Sequence, residues 1–435
     1  MPAGSLFRRL FCVGIALLLS ATARADNWDR FRGPNGTGIT QDKNIPVKFQ
    51  ASDARWKVAV PGIGHASPVI WGNRLFLQSS STDGKERWLL CYDTTDGKQL
   101  WKAGIATADP KANIYKGLSS WASSTPTTDG VGVYVAFWDG RDIIMAGYGV
   151  QGNLLWKRNL GAYFSQHGAG TSPILYKDKL IFAMDMDSKF QKTDAPVPVD
   201  HPARLYAFNK KTGETIWEIP RVPFRACYSV PSILEKPGAA PELLVTSTTA
   251  INSYDPNSGS VNWEWKWAFP KGDLRTISST TYHDGILMAT SGDGDGRRYM
   301  VAVAMNGSGK DAHPDKLWDN AKEFPYVTCL LSHKDHVYFV NDAGFAGCYH
   351  AKTGKRLWYE RLEGATFNAS PLLIDGKIYA ASLKGDVFVL AAEPKFAPLA
   401  RNSLGNEAIH ATPAVANGCL YVRTEGHLFC ITDKK

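Results

Sequence analysis

Two arginines and three histidines stand at fixed distances ahead of a recurring Ser-Pro, Thr-Pro or equivalent step. Three residues before each step come His65, Ser123, Gly170, Tyr228, Ser278, Thr328, Asn368 and His410. Six before come His167, Arg225, Arg275 and Glu407. Guanidinium forks suit carboxylates, and imidazoles serve as acid/base groups or metal ligands. Gathered at one place, Arg225, Arg275, His65, His167, Asn368 and His410, with Trp121 as an aromatic lid, would bind an anionic or polar ligand. The competing expectation is a wet channel whose polar side chains satisfy one another.

Acids accompany them: Asp83, Asp139, Asp185, Asp187, Asp293, Asp295 and Asp342. Asp293-Gly294-Asp295-Gly296 offers oxygen atoms to calcium but lacks the spaced acids of a full loop, and reads as a turn. His333-Lys334-Asp335-His336 has a metal-like spacing, yet it falls at a turn on the opposite side and reads as a solvated one. No His-Glu-x-x-His, Gly-x-Ser-x-Gly or phosphate-binding loop occurs. No catalytic residue and no metal ligand is assigned.

What must position these side chains is an internal repeat. Cys91-Tyr92-Asp93-Thr94-Thr95-Asp96-Gly97-Lys98-Gln99-Leu100-Trp101 ends a strand, turns at Gly97 and starts a new strand at the Trp. The spacing recurs at Asn209, Gly213, Trp217; at Asp255, Gly259, Trp263; at His350, Gly354, Trp358; and, degenerate, at Tyr148, Gly152, Trp156. A Trp once per unit is best used as a wedge between facing sheets. Eight unit openings follow one another at intervals of 40 to 58 residues, each leading four short strands. The last unit has only three, and the orphan strand starting at Trp56 supplies the fourth. The chain therefore reads as all-β, an eight-bladed β-propeller closed by an N-terminal strand, with seven blades and a stray sheet as the alternative. The wedge series is Trp56, Trp101, Trp156, Trp217, Trp263, Trp318 and Trp358. The third unit carries a Pro-rich loop at 188–202, the fifth an insertion at 309–316, and the seventh replaces Gly and Trp by Glu393-Pro394-Lys395.

The 435 residues are 44% hydrophobic and 21% charged, the profile of a soluble globular protein. Residues 1–25 have a basic start, a short apolar core from Leu10 to Ser20 and an Ala23-Arg24-Ala25 site, which reads as a cleaved signal peptide. The core is too short for a membrane anchor. Its removal leaves 46 basic against 41 acidic residues, and no dense basic run points to nucleic acid. The location expected is periplasmic or secreted. Residues 26–50 read as an extended arm and 51–435 as the propeller. Six cysteines remain, of which Cys91, Cys348 and Cys430 hold equivalent strand positions suited to a small hydrophobe, and no disulfide pairing follows from sequence.

The Asp-Thr-Thr-Asp-Gly-Lys-Gln-Leu-Trp turn resembles the tryptophan-docking motif of quinoprotein-type propellers. These include pyrroloquinoline quinone (PQQ) dehydrogenases and BamB-type barrel-assembly scaffolds. The Trp28-x-x-Phe31-Arg32-Gly33-Pro34-x-Gly36 arm looks like the start of exported PQQ-like propellers. The resemblance covers nearly the whole chain after residue 25 and implies the fold more than the function. The dehydrogenases often carry an adjacent Cys pair, and BamB-type scaffolds a lipoprotein Cys; this chain has neither. The resemblance implies a non-enzymatic scaffold of the cell envelope, binding a protein, peptide or glycan on its loop face. Its alternative is an oxidoreductase using PQQ and calcium.

Overall fold

Each repeat forms four antiparallel strands, and eight such sheets make the ring of an eight-bladed propeller. The computed structural model describes Met1 and residues 27–433, apart from 113, 115–118, 188–202 and 271. The signal segment and the Pro-rich loop at 188–202 lie outside the described residues. Blades 1 to 7 span 69–106, 127–162, 174–220, 232–266, 281–320, 331–361 and 372–403. Blade 8 joins Ala414–Ala416, Cys419–Arg423 and His427–Thr432 to Ala54–Ala59 from the N-terminal side. Trp56 lies opposite Cys430 there, so the ring closes as the repeat count requires. The irregular fifth unit is a full blade whose outer strand is His313–Asn320.

Burial explains the strand patterns. The middle strands are covered on both faces by neighbouring blades, so Gly132–Trp138 is buried throughout. Blades splay apart toward the rim, and the outer strand Gln99–Ala106 alternates between exposed and half-buried residues.

Six of the seven wedge Trp dock on the following blade, whereas the Trp263 indole NH donates to Glu242 Oε2 (2.8 Å) of its own blade. The indole NH of Trp101 donates to Val150 O (3.1 Å), that of Trp156 to Lys210 O (2.8 Å), and that of Trp318 to Ala351 O (2.7 Å). The ring then lies flat on the turn glycine of that blade. A Cβ on Gly213, where φ is +74°, would meet the Trp156 ring at 2.5 Å. Trp358 finds Glu393 O (3.0 Å) and Phe396 at the blade that lacks the glycine. A small residue sits opposite each Trp on the third strand: Cys91, Gly147, Ala207, Ser253, Ala302, Cys348 or Cys430. All six described cysteines are buried free thiols.

The first part of the arm, residues 27–40, does not lie along the outside, while Phe49 N donates to Asn402 Oδ1 (2.9 Å) on the outer strand of blade 7. Trp28 exchanges two backbone hydrogen bonds with Ile70 on the inner strand of blade 1. Asp29 O accepts from Thr128 N (2.9 Å) in blade 2. Arg30 donates to Pro231 O, and Asn35 exchanges bonds with Ile233, both in blade 4. Arg32 reaches Leu330 O (2.9 Å) at blade 6, and Ile39–Thr40 adds a parallel strand to Leu372–Ile374 of blade 7. A segment bonded to five inner strands around a ring lies on the axis. Trp28 and Arg32 are 1% exposed. Residues 27–40 thus form a tightly turned plug against the inner strands.

Candidate functional site

The segments leading into the inner strands and the loops between second and third strands share one face. Contacts between the two loop sets fix this: Arg275 pairs with Gly292, Tyr326 N bonds Asp342, and Glu407 bonds Gly426 N. The candidate side chains on that face fall into two groups.

The first belongs to blades 7, 8 and 1. The His65 and His410 rings stack with centroids 3.9 Å apart and planes 9° from parallel. Asn368 Nδ2 is 3.3 Å from His410 Nδ1. Beneath them lies Arg423, buried at the end of its strand, donating to Gln78 O (2.7 Å) and Ala66 O (3.2 Å). Burial brings the His410 imidazole down to about 4, and the Arg423 cation adds to this. Burial, His410 and Arg423 hold His65 well below the ordinary imidazole value. The pair is therefore neutral at pH 7, stacked on itself.

The second group belongs to blades 3 to 6 and is a set of ion pairs. Arg225 Nη1 meets Asp293 Oδ2 at 2.6 Å. Arg275 lies 3.6 Å from Asp187 and donates to Tyr228 Oη (3.0 Å), its guanidinium over the Tyr228 ring. Arg221 binds Asp185 through two bonds of 2.7 and 3.0 Å, and Arg298 pairs with Asp342. Asp187 also accepts from Ala226 N (2.7 Å) and Gln166 N (2.8 Å). His167 bonds Ser119 Oγ (3.3 Å) and stands edge-on to Tyr228. Burial, then Arg275, bring His167 down to about 4. For Arg275, burial opposes the charge, yet Tyr228 and Asp187 hold its pKa above the ordinary value.

Trp121 stands apart from both groups. Its indole NH donates to Ala112 O (3.3 Å) and its ring packs on the Arg87 guanidinium. Asp293 and Asp295 face Arg225 and Arg297. Sequence spacing therefore finds the face, the His65–His410–Asn368 contact and the two arginines. It misses Arg423, which no repeat position marks, and the partners of each arginine, which lie on other blades.

PQQ carries three carboxylates, for which guanidinium forks are the natural partners. Arg225 and Arg275 already meet carboxylates of the protein, Arg275 is 0% exposed, and the ring over its guanidinium is the protein's own Tyr228. Clefts of about 540 and 390 Å³ flank the outer strand of blade 7 at Arg401 and are not at either group. These residues do not fit the quinone.

A family model described as outer membrane protein assembly factor BamB matches residues 151–395. The chain belongs to this family of PQQ-like propellers. It is similar to the outer membrane protein assembly factor BamB of Bordetella pertussis, 24% identical over 339 residues, covering 71% of this chain and 82% of that one. The same factor from Shewanella oneidensis is 24% identical over 190 residues, which is 40% of this chain. That match spans only 45% of the Shewanella protein. The quinohemoprotein alcohol dehydrogenase from Comamonas testosteroni shares the fold, with a TM-score of 0.60 over 95% of this chain and 81% of its own, at 12% identity.

Proposed function

We propose that this protein is a non-enzymatic scaffold of the cell envelope, acting as an assembly factor for outer-membrane proteins as its relatives are named. The observation that carries the reading is the internal pairing of the candidate face. The cations that an anionic cofactor would need are matched by aspartates, and the plug fills the axis. Family membership supplies the partner class. The blades' outer strands each have one unpaired edge, and they carry exposed apolar residues such as Leu154 (53%), Val261 (49%) and Ile216 (42%). Such edges suit an extended polypeptide that adds a strand. We also infer that residues 1–25 are removed on export, leaving Asp26 first, the arm at 26–50 and the propeller at 51–435 in the periplasm. N-terminal sequencing of exported protein checks this, and an intact Met1 would refute it. Among the described residues no helix is long and apolar enough to cross a membrane.

The test is titration of the full chain with a fluorescently labelled, unfolded outer-membrane β-barrel polypeptide. Saturable binding with a dissociation constant of about 1–10 µM, or roughly 7–8 kcal/mol, is expected. Absence of binding at ~100 µM would overturn the reading. The second reading, a quinoprotein oxidoreductase, is tested by calorimetry with PQQ and calcium. A constant weaker than about 10 µM is expected. Submicromolar, calcium-dependent binding lost in an Arg225→Ala, Arg275→Ala variant would make the enzyme the better account.

A further inference from the structure

Three histidines form a row on the far side of blade 6, at the end opposite the candidate face. His333 ends the inner strand Leu331–His333, His336 starts the second strand, and His350 ends the third. Strand register puts His333 directly opposite His336, and His336 directly opposite His350. Side chains of directly paired residues share one face of a sheet, with Cβ atoms about 5 Å apart. Ala351 N donates to Asp335 O (2.8 Å) while His350 N turns away to Lys355 O. His336 and His350 are therefore a non-hydrogen-bonded pair, the kind that brings side chains closest.

The rings are placed accordingly. The centroids of His336 and His350 are 6.2 Å apart, with planes at 77°. All three histidines are half-buried and open to solvent on one side. His350 Nδ1 is buried with no hydrogen-bond partner among the described residues. An ion between the rings would give that ring the partner it lacks. The next pair inward on the same two strands is Tyr338 and Cys348. The turn adds one charge of each sign, Lys334 and Asp335.

We propose that His336 and His350, directly opposed across two strands of blade 6, bind a divalent transition-metal ion of the zinc, nickel and copper class. Imidazole nitrogen suits these ions, whereas calcium and magnesium take oxygen ligands. Among the described residues no three His, Cys, Asp or Glu side chains are arranged to hold one ion. The site is thus a two-imidazole one, with water completing the shell and His333 flanking it. It is independent of the scaffold reading and of the candidate face.

The test is calorimetry of the metal-stripped full chain with Zn²⁺, Ni²⁺ and Ca²⁺. One Zn²⁺ or Ni²⁺ per chain should bind at micromolar concentration, and Ca²⁺ should not compete. His336→Gln and His350→Gln should each weaken binding about tenfold or more, while His313→Gln, on an exposed residue of blade 5, should not. Because a row variant can also disturb the blade, a second measurement uses the unaltered chain. Electron paramagnetic resonance of its Cu²⁺ complex should show two equatorial imidazole nitrogens. No saturable binding below ~100 µM, unchanged binding in His336→Gln, or a copper spectrum without imidazole nitrogen would each overturn the proposal.

Discussion

A glycine in a turn is unremarkable until its neighbour is considered. Gly213 and Gly238 share φ of +74°, but Gly213 lies under the Trp156 ring and Gly238 faces open space. Gly238→Ala should cost about 1 kcal/mol, the left-handed penalty alone. Gly213→Ala should cost roughly 1–3 kcal/mol more, because the ring has to move. Urea unfolding of the two variants measures the gap; equal losses would mean that the indole does not rest on the turn. The stacked histidines make a second prediction. In the folded protein His410 holds a proton only below about 4, while an unfolded histidine binds one near 6.5. Between these values the unfolded state takes up more protons, so stability should fall as pH drops from 6.5 to about 4. His65 acts in the same direction. Melting temperatures across that window should fall more steeply for the parent than for a His65→Gln, His410→Gln variant, and parallel curves would refute the assignment.

At the scale of the strand, the third and fourth strands of every blade but the seventh are built around one contact. The register shifts by one residue beside most of these Trp contacts, as at Cys91/Tyr92 and Ala207/Phe208. Such a bulge re-aims the side chain next to it. The small residue opposite leaves the room. Ala207→Leu should therefore push Trp217 off its seat and cost about 1–3 kcal/mol, with a red-shifted tryptophan emission as the second readout. An unshifted spectrum and unchanged stability would show that the small residue is incidental. Much of this was legible in the sequence, since Gly and Trp recur at one spacing and a three-strand final unit calls for a partner. The ion pairs were not: Arg225 and Asp293 lie 68 residues apart on different blades, and spacing says nothing about which acid an arginine will find. The plug was illegible for a related reason. Arg30, Arg32 and Asn35 bind main-chain carbonyls, which every residue carries, so no sequence feature marks their partners.

For the whole molecule, the N-terminal region supplies two separable devices, the plug at 27–40 and the closing strand at Ala54–Ala59. A chain lacking 27–40 keeps its closed ring and should stay monomeric, though less stable. A chain lacking 54–59 leaves His427–Thr432 with an unpaired edge and should aggregate. Light scattering after size exclusion distinguishes them, and a monomeric second variant would refute the role of the strand. The plug also sets an order of events. A ribosome makes residues 27–40 first, but Leu330, the acceptor of Arg32, comes 298 residues later. At about 5–20 residues per second that is a wait of roughly 15–60 s. Throughout it, Trp28 and the two arginines have no axis to enter, because the inner strands that define it are still being made. The part of the chain that leads translation is thus among the last to reach its native place.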